Sequence, residues 1–293
     1  MSKLEKIKSV QEFIEKDPDQ GIERKYIYYD KQSVEINTKK QEVLILETPK
    51  WGKMLFLDGH LQSTTIDEVI YHNALVHPLL HTLSRLNKIL ILGGGEGATA
   101  REVLRWPVNN LIMVDYDKEL IEAMQLHGAQ WAKGSWKDLR LKVFYDCAWT
   151  YMKKGYKYDG VIIDLMDPDS NIEYWTDLLK NVIESVKESK GGFVMNAGMY
   201  LPWNTSKLIM IVNIIRKLCV KHSEFKYYIY TSFIPSFSAE WTFIVVSHKQ
   251  KFMIEPEYLD IIPGWIRRSI KTLPDSFLED ISTLPILTKI KEG

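Results

Sequence analysis

The sequence predicts an α/β protein built on a doubly wound, mostly parallel sheet, and three observations carry that prediction. Lys88 to Asp117 reads as strand, glycine turn, helix, strand and acid. Apolar runs and helical patterns then alternate as far as Ser247. The last two runs are joined by TSFIPSFSAEW, too short for a crossover helix, so those strands must be antiparallel. A parallel sheet ending in an antiparallel hairpin is the methyltransferase-like variant of the Rossmann-like fold.

Ahead of that sheet lies a polar leader, followed by Gly21 to Asp58, where short apolar runs such as Glu42 to Leu46 and Met54 to Leu57 alternate with turn residues. Pro49-Lys50-Trp51-Gly52 and Asp58-Gly59 mark the turns of antiparallel hairpins. The division is therefore an N-terminal β-strand domain over residues 1–62 and a Rossmann-like domain over residues 63–293. Gln41 begins one of the strands, and nothing local distinguishes it from a surface amide. From Ile66 to about Leu83 the pattern is helical, with a kink or restart at Pro78. Asp67 and Tyr71 share one face, Glu68 and His72 another. Spacing alone favours two acids suited to the helix dipole and an ordinary histidine. With Gln62 these residues nevertheless form the densest polar cluster upstream of the glycine turn.

Lys88 to Leu92 is an apolar run of the kind buried on both faces, and Gly93-Gly94-Gly95 stops it with residues that accept positive φ. A helix starts at Ala98 and ends by Pro107; Leu111 to Val114 then delivers Asp115 to the sheet edge where ligands of such folds sit. An acid there accepts both hydrogen bonds of a ribose diol, which implies an adenosine-containing ligand. Glu96 would repel a diphosphate placed in the same turn, which argues against nicotinamide and flavin dinucleotides and favours an adenosyl sulfonium compound. Asp146, ending the third strand, is placed equally well to accept from an adenine amino group or to cap a helix. The fourth strand, YDGVIID, delivers Asp164 and Asp167 to the same edge. Grouping them with Glu96 and Asp115 costs repulsion unless a cation sits among them. The substrate should be a polycation; scattered histidines make a metal site the weaker reading. Phe233, Phe237 and Trp241 read most simply as core aromatics, on a loop that can also line an acceptor pocket. From Lys251 a tail with helical patterns is assigned to packing.

At 293 residues the chain holds ample core, and its 38 basic and 38 acidic side chains cancel, which removes any global charge argument for nucleic acid or membrane binding. Two cysteines, Cys147 and Cys219, fit a reducing cytosol, and no apolar run is long enough to span a bilayer; the expectation is a cytoplasmic protein.

Linked motifs, in order QEVLILE from Gln41, LDGHLQSTTIDEVIYHNALVHP, ILILGGGEGATAREVLR, MVDYD and IIDLMDP, make the chain resemble the polyamine aminopropyltransferases of the spermidine synthase family over roughly Gly21 to Ser247. The resemblance implies transfer of the aminopropyl group of decarboxylated S-adenosylmethionine to an amine, giving 5'-methylthioadenosine and a longer polyamine, with no cofactor and no metal. It places Gln41 and Asp115 on the donor's ribose and thioether portion and Asp146 and Cys147 on its adenine, above the Gly93-Gly94-Gly95 turn. His72 and Glu96 would hold amino groups, Asp164 would be the general base, and Asp167 would bind the acceptor amine; Gln62 and Tyr71 also fall on pocket positions. The family's YHE is Tyr71-His72-Asn73 here, GGGDG is GGGEG, the glutamate ending the second strand is Asp115, and the gate segment after Pro168 is shortened to DSNIEYWT. The late loop, IPSFSAEW, is closer to the thermospermine synthase type, which makes longer acceptors such as spermidine credible. A homodimer or homotetramer is the expectation from the family. The competing readings are an S-adenosylmethionine-dependent methyltransferase, whose substrate carboxylate Glu96 should repel, and a catalytically inactive polyamine-binding protein, against which Asp164 and Asp167 argue.

Overall fold

The computed structural model describes residues 10–18, 21–201, 203–248 and 271–273. Part of the expected polar leader is a strand: β1 (Val10–Asp17) pairs antiparallel with β2 (Ile22–Tyr29). Its inward face carries Phe13, which meets the ring of Phe56 edge-on at 4.7 Å, and the buried Glu15, so no apolar alternation marks it in the sequence. A four-stranded antiparallel sheet follows, in the order β3 (Val34–Asn37), β4 (Glu42–Thr48), β5 (Gly52–Leu57) and β6 (His60–Thr64). Its hairpins turn at the expected Pro, Gly and Asp residues, with positive φ at Gly52, Asp58 and Gly59. Because β6 runs to Thr64, a boundary at residue 62 falls inside a strand, and the sheet closes two residues later.

Helix α1 (Glu68–Thr82) passes through Pro78 without a restart. Proline has no N–H for the carbonyl four residues back, that of Ala74, and the Tyr230 hydroxyl donates to it instead at 2.8 Å. Beyond it run β7 (Lys88–Gly93), α2 (Ala98–Leu104), β8 (Asn110–Asp115), α3 (Lys118–His127) and the short α4 (Ala129–Ala132). Next come β9 (Leu141–Tyr145), α5 (Ala148–Met152), β10 (Gly160–Asp164), α6 (Ile172–Val186) and β11 (Gly192–Met199). Helix α7 (Ser206–Lys221), β12 (Lys226–Ile234), β13 (Ala239–Ser247) and β14 (Lys271–Leu273) complete the described chain. The large sheet has the order β14-β12-β13-β11-β10-β7-β8-β9. β9, β8, β7, β10 and β11 are parallel; β13 is antiparallel to β11 and to β12, as the short connection requires. The expected helical tail is corrected at Lys271–Leu273, a strand paired with β12; its other residues lie outside the described ones.

The sheet is buried on both faces, as its apolar strands demand. Ile89 and Ile91 of β7 pack with α1 residues such as Leu75 and Leu79, whereas Leu90 and Leu92 pack on the other face with Leu178 and Val182 of α6 and Ile211 of α7. β7 has β8 on one side and β10 on the other, so the chain reverses its direction of winding there, and the crevice at such a point lies outside the strands' carboxyl ends. Among the described residues no helix is long and apolar enough to cross a membrane.

Candidate active site

A cleft of about 900 Å³ opens at that switch point. Its floor is the glycine turn Gly93, Gly94 and Gly95, with Glu96 beside it. Gln41, Gln62, Tyr71 and His72 line it from the N-terminal side, and Asp115, Asp146, Cys147, Asp164 and Asp167 from the strand ends. Every residue singled out from the sequence as a site residue therefore faces one cavity. Asp67 and Glu68, from the same polar cluster, do not: Asp67 accepts from Thr64 Oγ1 and the Ser236 amide, each at 2.7 Å, and Glu68 is buried in an ion-pair network. Gly93 illustrates why the turn must be glycine. Its φ is 84°, and a Cβ would lie 2.1 Å from the Asp164 carbonyl oxygen on the neighbouring strand.

Asp164 ends β10 with one donor on each carboxylate oxygen. The Tyr71 hydroxyl donates to Oδ1 at 3.2 Å and the Thr99 hydroxyl donates to Oδ2. Burial, and then the charges of Asp164 and Asp167, push the Tyr71 phenol well above its ordinary value, so Tyr71 remains a neutral donor. The carboxylate is thus oriented from both sides by hydroxyl donors.

Asp167 is held by a different arrangement. A bulge in β11 between Asn196 and Met199, with Gly198 at φ 83°, turns Asn196 toward the cleft. Asn196 Nδ2 donates to Asp167 Oδ1 at 2.9 Å, while its Oδ1 accepts from the Gly198 amide at 2.8 Å and from Trp241 Nε1 at 2.7 Å. Those two donors define which end of the amide faces Asp167. Crowding by the cleft wall raises the Asp167 carboxyl, and Asn196 and the Lys207 ammonium moderate that rise.

His72 is 3% exposed and lies between two carboxylates, with Nδ1 at 3.0 Å from Glu68 Oε2 and Nε2 at 2.7 Å from Glu96 Oε1. Burial opposes a charged ring, but Glu96 and Glu68 together raise His72 well above its ordinary value, and it stands as an imidazolium. Behind it Arg101 grips Glu68 with two 2.8 Å bonds and donates to Glu102 at 2.8 Å. The network holds the ring rigidly against Glu96.

At the end of β8, Asp115 is 7% exposed and accepts from the Asp117 amide at 2.9 Å. Burial pushes its carboxyl up to about 6. Gln41 is more than a surface amide: its Nε2 donates to Asp117 Oδ2 at 2.9 Å, and Thr38 donates to the same oxygen at 2.7 Å. Asp117 also caps α3 through the Leu120 amide, so one buried acid joins the N-terminal sheet to the large-sheet domain. Asp146 accepts from the Cys147 amide at 2.8 Å and from Lys154 Nζ at 2.6 Å, while α5 begins after Cys147 with no side-chain cap. The Lys154 ammonium holds the Asp146 carboxyl below its ordinary value. The shortened segment after Pro168 is folded: Asp169 accepts from Trp175 Nε1 at 3.0 Å, Asn171 caps α6, and Tyr174 stacks on Trp149 at 3.8 Å on the cleft wall beside Asp146 and Cys147.

The late aromatics divide. Phe237 and Trp241 are buried and line the cleft, whereas Phe233 is 47% exposed and is not a core residue, because its position in β12 points it outward. Sequence reasoning also missed Thr99 and Asn196. Thr99 lies in the first turn after the glycines and Asn196 is a polar residue in an otherwise apolar strand, but neither position alone announces a role. Glu15, Asp17 and Arg24 of the first hairpin line the cleft as well, which no local pattern announced.

The model of the spermine/spermidine synthase domain matches residues 68–256, which include most of this cleft. The chain belongs to the spermine/spermidine synthase family. The spermidine synthase tetramerisation domain matches residues 27–65, so the N-terminal sheet carries the family's assembly module. The polyamine aminopropyltransferase of Sulfurisphaera tokodaii is 37% identical over 216 residues, 73% of this chain and 70% of that protein. That of Saccharolobus solfataricus is 34% identical over 234 residues, covering 78% and 76%. Among solved structures, spermidine synthase from Thermotoga maritima has a TM-score of 0.73 at 22% identity, over 98% of this chain and 97% of that one. A spermidine synthase in complex with the transition state analogue AdoDATO has a TM-score of 0.74, also at 22% identity, over 98% of each. Both share the fold of this family member.

Proposed function

We propose that the protein is an aminopropyltransferase of polyamine biosynthesis that takes decarboxylated S-adenosylmethionine as donor and a polyamine as acceptor. The observation that carries this reading is Asp164, oriented by Tyr71 and Thr99 at the switch point of a cleft that also presents Glu96, Asp115 and Asp167. A primary amine resembles lysine, with a pKa of about 10.4, and must lose a proton before it attacks. Asp164 takes that proton. The freed lone pair forms a bond to the methylene carbon next to the sulfonium, the carbon–sulfur bond breaks, and its electron pair neutralises sulfur in 5'-methylthioadenosine. Asp167 aligns the amine, Glu96 beside the His72 imidazolium receives the donor's amino group, and Asp115 with Gln41 receives the ribose. Tyr71 and Gln62 border the acceptor's path, and Asp146 and Cys147 face the adenine. Sulfonium is a leaving group in its own right, so orientation supplies much of the acceleration and no cofactor is invoked. Putrescine, spermidine or a related amine is the acceptor, the enzyme works in the cytoplasm, and the tetramerisation module makes a homodimer or homotetramer. Nucleic acid and membranes have no part in it.

The test is a product assay with decarboxylated S-adenosylmethionine and, separately, putrescine, cadaverine, agmatine and spermidine. Release of 5'-methylthioadenosine with a lengthened amine is the expected result; no release with any of them, alongside tight binding of ordinary S-adenosylmethionine, would replace the reading by a methyltransferase. A pH prediction follows from Asp115. Only its ionised form accepts both ribose hydroxyls, so 5'-methylthioadenosine binding should weaken by about tenfold per pH unit below about 6. That ligand lacks the donor's aminopropyl ammonium and so leaves Glu96 out of the comparison. Calorimetry on the wild type and Asp115→Asn checks it: the variant should bind weakly and without pH dependence, and equal slopes in both would remove Asp115 from the ribose.

A further inference from the structure

Two hydroxyls in the cleft have no hydrogen-bond partner among the described residues, Ser236 Oγ and Thr205 Oγ1. Ser236 is 6% exposed and Thr205 1%. A buried hydroxyl left unmatched is destabilising, and alanine or valine would fill either position without that cost. Folding does not call for the Ser236 hydroxyl. Its residue is tied down through the backbone, whose amide donates to Asp67 Oδ2 at 2.7 Å.

The surroundings of the two hydroxyls differ in sign. Thr205 precedes the first turn of α7, where the helix presents its positive end, and Lys207 follows two residues later on the same cleft wall. An ammonium is disfavoured there. Ser236 has the Asp67 carboxyl directly behind it, and the rings of Phe237 and Trp241, 4.5 Å apart, continue the wall beside it. A hydroxyl oxygen backed by an acid and flanked by apolar rings matches a chain that alternates ammonium groups with methylene runs.

We propose that Ser236 accepts a hydrogen bond from an acceptor nitrogen remote from the one that reacts, with the intervening methylenes against Phe237 and Trp241, so that the cleft selects di- and triamines over monoamines. This rests on the aminopropyl-transfer reading and adds to it the group that recognises the acceptor's far end. Asp164 and Asp167 serve the reacting nitrogen; Ser236 measures what lies beyond it.

The experiment is calorimetric titration of the full-length enzyme, saturated with 5'-methylthioadenosine, with n-butylamine, putrescine and spermidine. Ser236→Ala should weaken putrescine or spermidine by about tenfold and leave n-butylamine within about twofold, the loss expected for one hydrogen bond to a charged group. Thr205→Val removes the other unmatched hydroxyl and should not change the ratio of polyamine to monoamine affinity. An equal loss for n-butylamine in Ser236→Ala, or no loss for any amine, would overturn the inference. Failure of the wild type to turn over any amine with decarboxylated S-adenosylmethionine would instead overturn the reading beneath it, whatever the binding ratios.

Discussion

Asp164→Asn is expected to lower turnover by about two to four orders of magnitude while leaving 5'-methylthioadenosine affinity within about threefold of wild type. Asparagine is nearly isosteric and keeps the turn at the end of β10, so the Gly93 contact and the cleft floor survive. What it lacks is a site for the acceptor's proton. It also replaces one of two acceptor oxygens by a donor, so the Tyr71 or Thr99 hydroxyl must turn from donating to accepting. Tyr71→Phe separates the two effects. It keeps the carboxylate and one of its two orienting bonds, and should cost roughly tenfold in turnover, the scale of one hydrogen bond. Single-turnover measurement of the chemical step, with binding followed separately, distinguishes them; turnover of Asp164→Asn within tenfold of wild type would remove Asp164 as the base.

How much of this was legible in the residues depends on the range of the interaction. The glycine turn, the acids that end β8 and β10, and the antiparallel final pair were readable because each is a local consequence of strand period, turn chemistry or loop length. β1 was not, because charges fall on both of its faces, Glu12 paired to Lys25 outside and Glu15 buried inside, so it looks like a solvated leader until its partner is known. Pro78 suggested a break for a sound local reason, and a tyrosine 152 positions further along, at Tyr230, removed the reason. The site shows the same division. The carboxylates were visible, since acids after buried strands have no structural use. The groups that aim them, Thr99 at Asp164 and Asn196 at Asp167, were not, because an amide or hydroxyl acquires its role only when the bulge in β11 and the first turn of α2 bring it within 3 Å or so of its partner.

The electrostatics of the cleft also became readable only in three dimensions. Counting acids predicted a strongly negative pocket, whereas His72 and Lys207 place cations beside Glu96 and Asp167. Two further cations, Lys154 and Arg24, lie at Asp146 and beside Asp17 at the rim. Resident positive charges therefore offset Glu96 and Asp167, while Asp115 and Asp164 still act on each other across the cleft. A polycationic acceptor then meets carboxylates that are already aimed, and part of the desolvation cost falls on the folded protein beforehand.

Arg101→Met should produce the largest loss of stability of any single change in this network, about 3–5 kcal/mol, the usual scale for removing one partner of a buried ion pair. Arg101 is 9% exposed and serves two acids that are each nearly sealed from solvent, Glu68 at 3% and Glu102 at 2%. Methionine matches its length but supplies none of its bonds, including the one to the Trp131 carbonyl. The pH dependence gives the loss a signature. Burial opposes ionisation of both acids, yet His72 and Arg101 hold Glu68 low, and His77 and Arg101 hold Glu102 low. A carboxylate whose folded pKa is depressed contributes stability above its unfolded value, about 4.3, and that contribution disappears as pH falls through the lower folded value. The wild type should therefore lose stability in acid, and the gap between wild type and Arg101→Met should be widest near neutrality and narrow below about pH 4. Arg101→Lys keeps the charge without the two-pronged grip on Glu68 and should fall between them. Urea unfolding across that range is the measurement. A gap that is constant with pH would assign the loss to packing of the side chain rather than to the acids it holds, and the imidazolium at His72 would then need another source of rigidity.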